Sequence, residues 1–151
     1  MKKVLFVCHG NICRSTMAES VFTHMINEKG LKDKFMIDSA GTSSEEIGNS
    51  PHHGTVKKLK EKGILVVPHK ARQITLKDFH EFDYIIAMDS YNVKNIERFL
   101  GKKSGKVFKL LDFTGNNLDI EDPWHTRDFE ETFKDICRGL AAFLLKIENI
   151  K

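Results

Sequence analysis

The run from Lys3 to Cys8 reads Lys-Val-Leu-Phe-Val-Cys, and this nearly unbroken apolar stretch constrains the fold more than any other segment. Successive side chains of a strand point to opposite faces, so a strand that is apolar throughout needs cover on both sides. That is the condition of a parallel sheet between helices. After the polar, glycine-containing stretch His9 to Ser15, Met17, Ala18, Val21, Phe22, Met25 and Ile26 recur at helical spacing until Gly30, a suitable C-terminal stop. The chain thus begins as strand, short loop and helix.

The unit repeats. Phe35 to Ser39 reads as a second strand, and Pro51 to Lys62 as a helix with Pro51 near its first turn and Gly63 ending it. Phe82 to Met88 is a third strand, followed by a helix carried by Val93, Ile96, Phe99 and Leu100. Val107 to Leu111 is a fourth strand, and Phe129, Phe133, Ile136, Cys137, Leu140, Phe143, Leu144 and Ile147 form the apolar stripe of a last helix. Strands alternating with helices imply right-handed crossovers, so the expected fold is α/β: an open four-stranded parallel sheet with helices on both faces. A length of 151 residues suits one domain spanning 1–151. Ligands of such sheets bind beyond the carboxyl ends of the strands, which puts the loops starting at Cys8, Met88 and Leu111 on one rim. Lys57, Lys58, Lys60 and Lys62 read as a solvated helix face.

Hydrophobic residues make up 40% of the chain and charged residues 30%, which excludes a disordered segment. No apolar run approaches a membrane span, and Met1-Lys2-Lys3 leads into only five apolar residues, too few for a secretion signal. A cytoplasmic protein with no membrane association is expected. Three cysteines then point to reduced thiols rather than a disulfide framework. A net charge of +3 helps anionic substrates a little and falls far short of the basic stripe of a nucleic-acid binder.

The segment Cys8-His9-Gly10-Asn11-Ile12-Cys13-Arg14-Ser15 joins the buried strand to a helix N-terminus, where unpaired N–H groups and the dipole favour an anion. A thiol at the start of such a loop feels the same field, which favours its reactive thiolate and makes Cys8 a candidate nucleophile. Arg14 can fold over the loop and grip two phosphoryl oxygens through its planar fork. Gly10 admits backbone shapes closed to other residues, Asn11 tolerates left-handed geometry, and the Ser15 hydroxyl can hydrogen-bond the thiolate. Asp122 follows the fourth strand on the expected rim, and Pro123 limits where its carboxyl points, which suits a proton donor. Trp124 and His125 come next and supply one wall of a cleft.

These residues also carry a resemblance. Val7 to Ser15 is similar to the phosphate-binding loop of the low-molecular-weight protein tyrosine phosphatases. Asp38-Ser39-Ala40-Gly41-Thr42, His69-Lys70-Ala71-Arg72-Gln73, Phe82-Asp83-Tyr84-Ile85, Met88-Asp89 and Asp122-Pro123-Trp124 resemble further motifs of that family in family order. The resemblance covers essentially the whole chain. It implies hydrolysis of phosphotyrosine monoesters through a cysteinyl-phosphate intermediate, with Cys8 as nucleophile, Arg14 as clamp, Asp122 as acid and base, and neither metal nor cofactor. It also implies that Asn11, Ser15, Ser39 and His69 hold the loop in shape, although His69 read alone is equally a capping or core histidine. The implied partners are phosphotyrosine-containing proteins, with inorganic phosphate as product and the enzyme a monomer or weak dimer.

The chain departs from the family pattern in its wall. His125 stands where many members have a second aromatic, and Ser43-Ser44-Glu45-Glu46-Ile47 where an aromatic is common, so Ile47 is the expected substitute. Thr16 replaces a frequent proline, a change helix N-termini accept. Three rivals remain. A phosphoarginine phosphatase of the same family characteristically has Thr where this chain has Ile12, whose branched bulk favours a planar phenyl ester. A thiol-dependent arsenate reductase needs a relay of cysteines, and Cys137 sits on a buried stripe. A metal module using Cys8, His9 and Cys13 lacks a matching second half. Cys13, five residues after Cys8, is an expected redox partner able to capture an oxidised Cys8 as a disulfide.

Overall fold

A computed structural model describes residues 1–148, so the last three residues of the expected 1–151 domain lie outside the described ones. Its strands are β1 (Lys2–Cys8), β2 (Phe35–Gly41), β3 (Tyr84–Ala87) and β4 (Val107–Lys109). All pair in parallel in the order β2-β1-β3-β4, which is the open four-stranded sheet the alternation predicts. The longer helices are α1 (Arg14–Glu28), α2 (His53–Glu61), α4 (Ser90–Leu100) and α6 (Phe129–Glu148); α3 (Leu76–Glu81) and α5 (Pro123–Thr126) are short.

β1 is central and Val4 to Val7 are fully buried, as a strand apolar on both faces requires. Val4, Phe6 and Cys8 face one hydrophobic cluster together with Phe22 of α1 and Ile136, Leu140 and Phe143 of α6. Leu5 and Val7 face the other, with Phe79 of α3 and Ile96 of α4. The alternation therefore delivers Cys8 to the α1 side of the sheet at the carboxyl end of β1, where it is in register with Gly41 of β2.

Several boundaries differ from expectation for identifiable reasons. α2 starts at His53 rather than Pro51, because the His52 ring nitrogen Nδ1 accepts the Gly54 N–H and caps the helix. β4 stops at Lys109, and Leu110 to Thr114 form a 3₁₀ turn. Its leucines are apolar because they pack under α6: a Cβ on Gly139 would stand 2.6 Å from Leu110 Cγ, so only glycine lets the helix approach. The helix α3 escaped the periodicity reading because it is six residues long, although Thr75 and Asp78 form a reciprocal capping box at its start. The α2 lysines divide. Lys57 and Lys60 are exposed, whereas Lys58 and Lys62 reach Glu130 of α6 at 2.9 and 3.2 Å and tie the two helices together. Among the described residues no helix is long and apolar enough to cross a membrane.

Candidate active site

The loop between β1 and α1 turns its carbonyls outward. Cys8 O accepts from Thr42 N, His9 O from Ser43 N, Ile12 O from His52 N, and Cys13 O from the Thr55 hydroxyl. Thr16 sends its hydroxyl to the Ile12 and Cys13 carbonyls at 2.9 and 3.1 Å, so it bonds the loop's acceptors rather than capping helix N–H groups. The backbone N–H groups of Gly10 to Ser15, by contrast, engage no protein acceptor among the described residues. Six donors left free in one curl at a helix N-terminus form an anion nest.

Asn11 holds the curl. It takes the left-handed conformation, φ 60°, as its residue type allows, whereas Gly10 stays out of that region. Its fully buried amide donates to Ser15 Oγ at 2.8 Å and Ser39 Oγ at 3.0 Å, and its oxygen accepts from His69 Nε2 at 2.7 Å and Arg72 N at 3.0 Å. Ser15 Oγ lies 3.1 Å from the Cys8 sulfur. Because Ser15 Oγ accepts from Asn11, its own proton is free to be donated to a Cys8 thiolate. The expected partners Asn11, Ser15, Ser39 and His69 are thus brought together.

The residues behind them were missed. Glu19, buried on α1, accepts the Ser39 hydroxyl at 2.6 Å, and burial pushes its carboxyl up to about 7. His69 Nδ1 lies 3.6 Å from both Glu19 and Asp38, and burial lowers the imidazole's pKa. Arg72 bridges Asp38 and Asp78 at 3.0 Å each, linking the network to the capping box of α3. Glu19, Asp38 and His69 bring three donor atoms within 4.8 Å of one another, but Ser39, Arg72 and Asn11 already engage them. Gly41 was also passed over: a Cβ there would stand 2.7 Å from the His9 carbonyl, so β2 reaches the loop only with glycine at its end. A helical-spacing count sees Glu19 only as a polar residue beside an apolar stripe, and nothing local marks it as buried.

Arg14 is 2% exposed and reaches across to the other loops of the rim. Its Nη1 donates to Asp89 Oδ2 at 2.6 Å and to the Ile120 carbonyl at 2.8 Å, and Nη2 lies 3.6 Å from Asp122 Oδ2. Burial works against its charge, but the Cys8 thiolate and the Asp89 and Asp122 carboxylates outweigh it and hold the guanidinium above its ordinary range. Nε–H has no protein acceptor among the described residues and stays available to a ligand.

Asp122 caps α5, accepting the Trp124 N–H at 3.0 Å with Pro123 at the first helical position, and its other oxygen faces Arg14. The loop bearing it is anchored. Ile120 N donates to Met88 O, and the buried Lys109 ammonium holds Asp119 at 2.9 Å and Asn117 at 2.6 Å.

Together Cys8, Ile12, Cys13, Arg14, Asp122, Trp124 and His125 line a cavity of about 240 Å³. His9 and Gly10 also border it. Ile47 does not: it is 58% exposed, and Glu45 and Glu46 line the cavity from that loop instead. Cys13 is 5% exposed, and burial, with the Cys8 charge beside it, pushes its thiol up to about 12. Cys137 packs against the core on α6, away from the cavity residues. A cysteine sulfur beside an anion nest, with a guanidinium and a carboxyl lining the same cavity, is equipped for nucleophilic phosphoryl transfer.

The sequence profile described as low molecular weight phosphotyrosine protein phosphatase matches residues 3–151. A protein of Bacillus subtilis named low molecular weight protein-tyrosine-phosphatase YfkJ is 42% identical over 100% of this chain and 99% of its own. The crystal structure of YfkJ superposes with a TM-score of 0.96, covering 100% of this chain and 97% of that one. A solved Drosophila structure described as an arginine phosphatase is 33% identical, with a TM-score of 0.87 over 97% of this chain and 98% of that one.

Proposed function

The chain belongs to the low molecular weight phosphotyrosine protein phosphatase family and is a protein tyrosine phosphatase, a hydrolase of phosphoric monoesters, and we propose that Cys8, Arg14 and Asp122 carry its chemistry. In the first step the Cys8 thiolate attacks phosphorus, the P–S bond forms, and the ester P–O bond breaks. Asp122 gives its proton to the departing phenolate, whose conjugate acid has a pKa of about 10 and which leaves poorly as an anion. In the second step the Asp122 carboxylate takes a proton from water, the oxygen attacks phosphorus, the P–S bond breaks, and inorganic phosphate leaves. Arg14 and the loop N–H groups bind the equatorial oxygens in both steps.

The observation that carries this reading is the set of N–H groups from Gly10 to Ser15, in the loop that follows Cys8, left without protein acceptors among the described residues. Cys8→Ser is expected to abolish turnover while inorganic phosphate still binds, and Arg14→Lys to lose most activity although the charge is kept. Substantial turnover by Cys8→Ser would overturn the assignment. The structural likeness to an arginine phosphatase favours phosphoarginine as a second reading. Ile12, which lines the cavity, favours the planar ester, and hydrolysis of phosphotyrosine, phosphoserine and phosphoarginine peptides side by side decides between them. We place the enzyme in the cytoplasm, acting on phosphoproteins as a monomer or weak dimer, which fractionation and sedimentation test.

A further inference from the structure

Trp124 separates the catalytic cavity from a second cleft of about 440 Å³, built from the start of α2 and the junction of α5 with α6. Its wall is aromatic. Trp124 meets His52 edge-on at 5.4 Å, and His52 stacks on Phe129 at 5.4 Å with an interplanar angle of 17°. Gly54 makes that stack possible, because a Cβ there would stand 2.4 Å from the Phe129 ring. The His52 N–H donates to the Ile12 carbonyl at 2.8 Å, so the cleft is fixed in register with the phosphate loop.

The two cations on this cleft make no direct contact with a carboxylate, although Glu61 lies within electrostatic reach of Lys57. Lys57 and Arg127 both line it, and among the described residues neither side chain has an ion-pair or hydrogen-bond partner. Lys58 on the same helix and Lys62 just past its end are paired with Glu130. Arg127 also occupies the left-handed region, φ 63°, where glycine is the cheaper residue. Burial first, and then the charges of His53 and Arg127, hold the His52 imidazole below its usual range against the smaller opposing pull of Glu46 and Asp122, which places Arg127 within electrostatic reach of the aromatic wall. The lining of the catalytic cavity also includes the opposite sign, from Glu45 and Glu46.

We propose that the second cleft is a substrate subsite for an aspartate or glutamate flanking the phosphotyrosine, its carboxylate held by Lys57 and Arg127 and the peptide crossing Trp124. The inference rests on phosphotyrosine entering the Cys8 cavity. An extended chain spans roughly 3.5 Å per residue, so the acidic side chain lies within about three positions of the phosphotyrosine. Unpaired surface lysines are common and by themselves mean little. Here the two cations border a concave aromatic surface continuous with the reactive one, and an apolar floor with few polar groups is the usual form of a binding cleft.

The test is kcat/KM for phosphotyrosine peptides with Glu, Ala or Lys at each flanking position, in the wild type and in the double variant Lys57→Gln with Arg127→Asn. Asn keeps the left-handed conformation accessible. The readout is the Glu-to-Ala ratio within each enzyme, which cancels any change in overall activity. The wild type is expected to prefer Glu at one position by about 3- to 10-fold, and the double variant by less than about 2-fold. Raising the salt to about 0.5 M is expected to shrink the wild-type ratio in the same way. Equal rates on Glu and Ala peptides by an active wild type, or a preference that survives in the double variant, overturn the subsite alone. No turnover of any phosphotyrosine peptide overturns the catalytic reading, and the subsite with it.

Discussion

Replacing Asn11 separates two things this residue does, and the structure sets the size of each. Its side chain makes four hydrogen bonds in a fully buried site, to Ser15, Ser39, His69 and Arg72, while its backbone sits at φ 60°. A buried hydrogen bond contributes about 1 kcal/mol net, and water entering the vacated space recovers part of the loss, so Asn11→Gly is expected to cost about 3 kcal/mol. Asn11→Ala loses the same bonds and adds strain at positive φ, only partly offset by a stiffer unfolded chain, for about 4 kcal/mol in all. Both fit within the roughly 5 to 15 kcal/mol stability of a typical domain, so both proteins should fold. Urea unfolding gives the two energies, and kcat/KM on a phosphotyrosine peptide gives the consequence. Ser15 loses the donor that turns its own proton toward Cys8, and activity should fall at least about 10-fold in each variant. Variants within about 1 kcal/mol of wild type, or an Ala variant more stable than the Gly variant, would refute the reasoning.

Asp122→Ala should slow phenyl phosphate far more than p-nitrophenyl phosphate, by about 10²-fold or more against a few-fold, because the better leaving group needs no proton; equal losses move the acid elsewhere, with Asp89 next. Glu19 has a folded pKa raised from 4.5 to about 7 by burial, so its contribution to stability is fully present below 4.5 and is lost as the pH rises through 7, about 3 kcal/mol in all. Glu19→Gln should remove that part of the slope, and a slope unchanged by the substitution rejects the assignment. Mild peroxide should convert Cys8 to a sulfenic acid that Cys13 captures as a reducible disulfide, so Cys13→Ser should lose activity irreversibly. Burial pushes the Cys13 thiol up to about 12, and capture needs its thiolate; recovery should therefore be more complete at pH 8.5 than at pH 6.5, and equal recovery by wild type and Cys13→Ser ends the proposal.

The sequence by itself determined the sheet and the reactive loop, because both are written in local patterns. An apolar run such as Lys3 to Cys8 has to be covered on both faces, and the loop after it is contiguous, so strand, nest and helix are read from one short stretch. The expected partners of Asn11 were named only through resemblance, since nothing in a single sequence ties Ser39 and His69 to a loop dozens of residues away. Tertiary structure alone decided the rest. Burial of Glu19 depends on β2 lying against α1, and the separation of Lys58 from Lys57 depends on Glu130 arriving from α6. Ile47 shows the limit most plainly: the resemblance made it the expected wall residue, yet the turn after β2 leaves it in solvent and gives the cavity Glu45 and Glu46. The direction in which a loop presents its side chains follows from long-range hydrogen bonds, such as Thr42 N to Cys8 O and Gly48 N to Ala71 O, that no local period encodes.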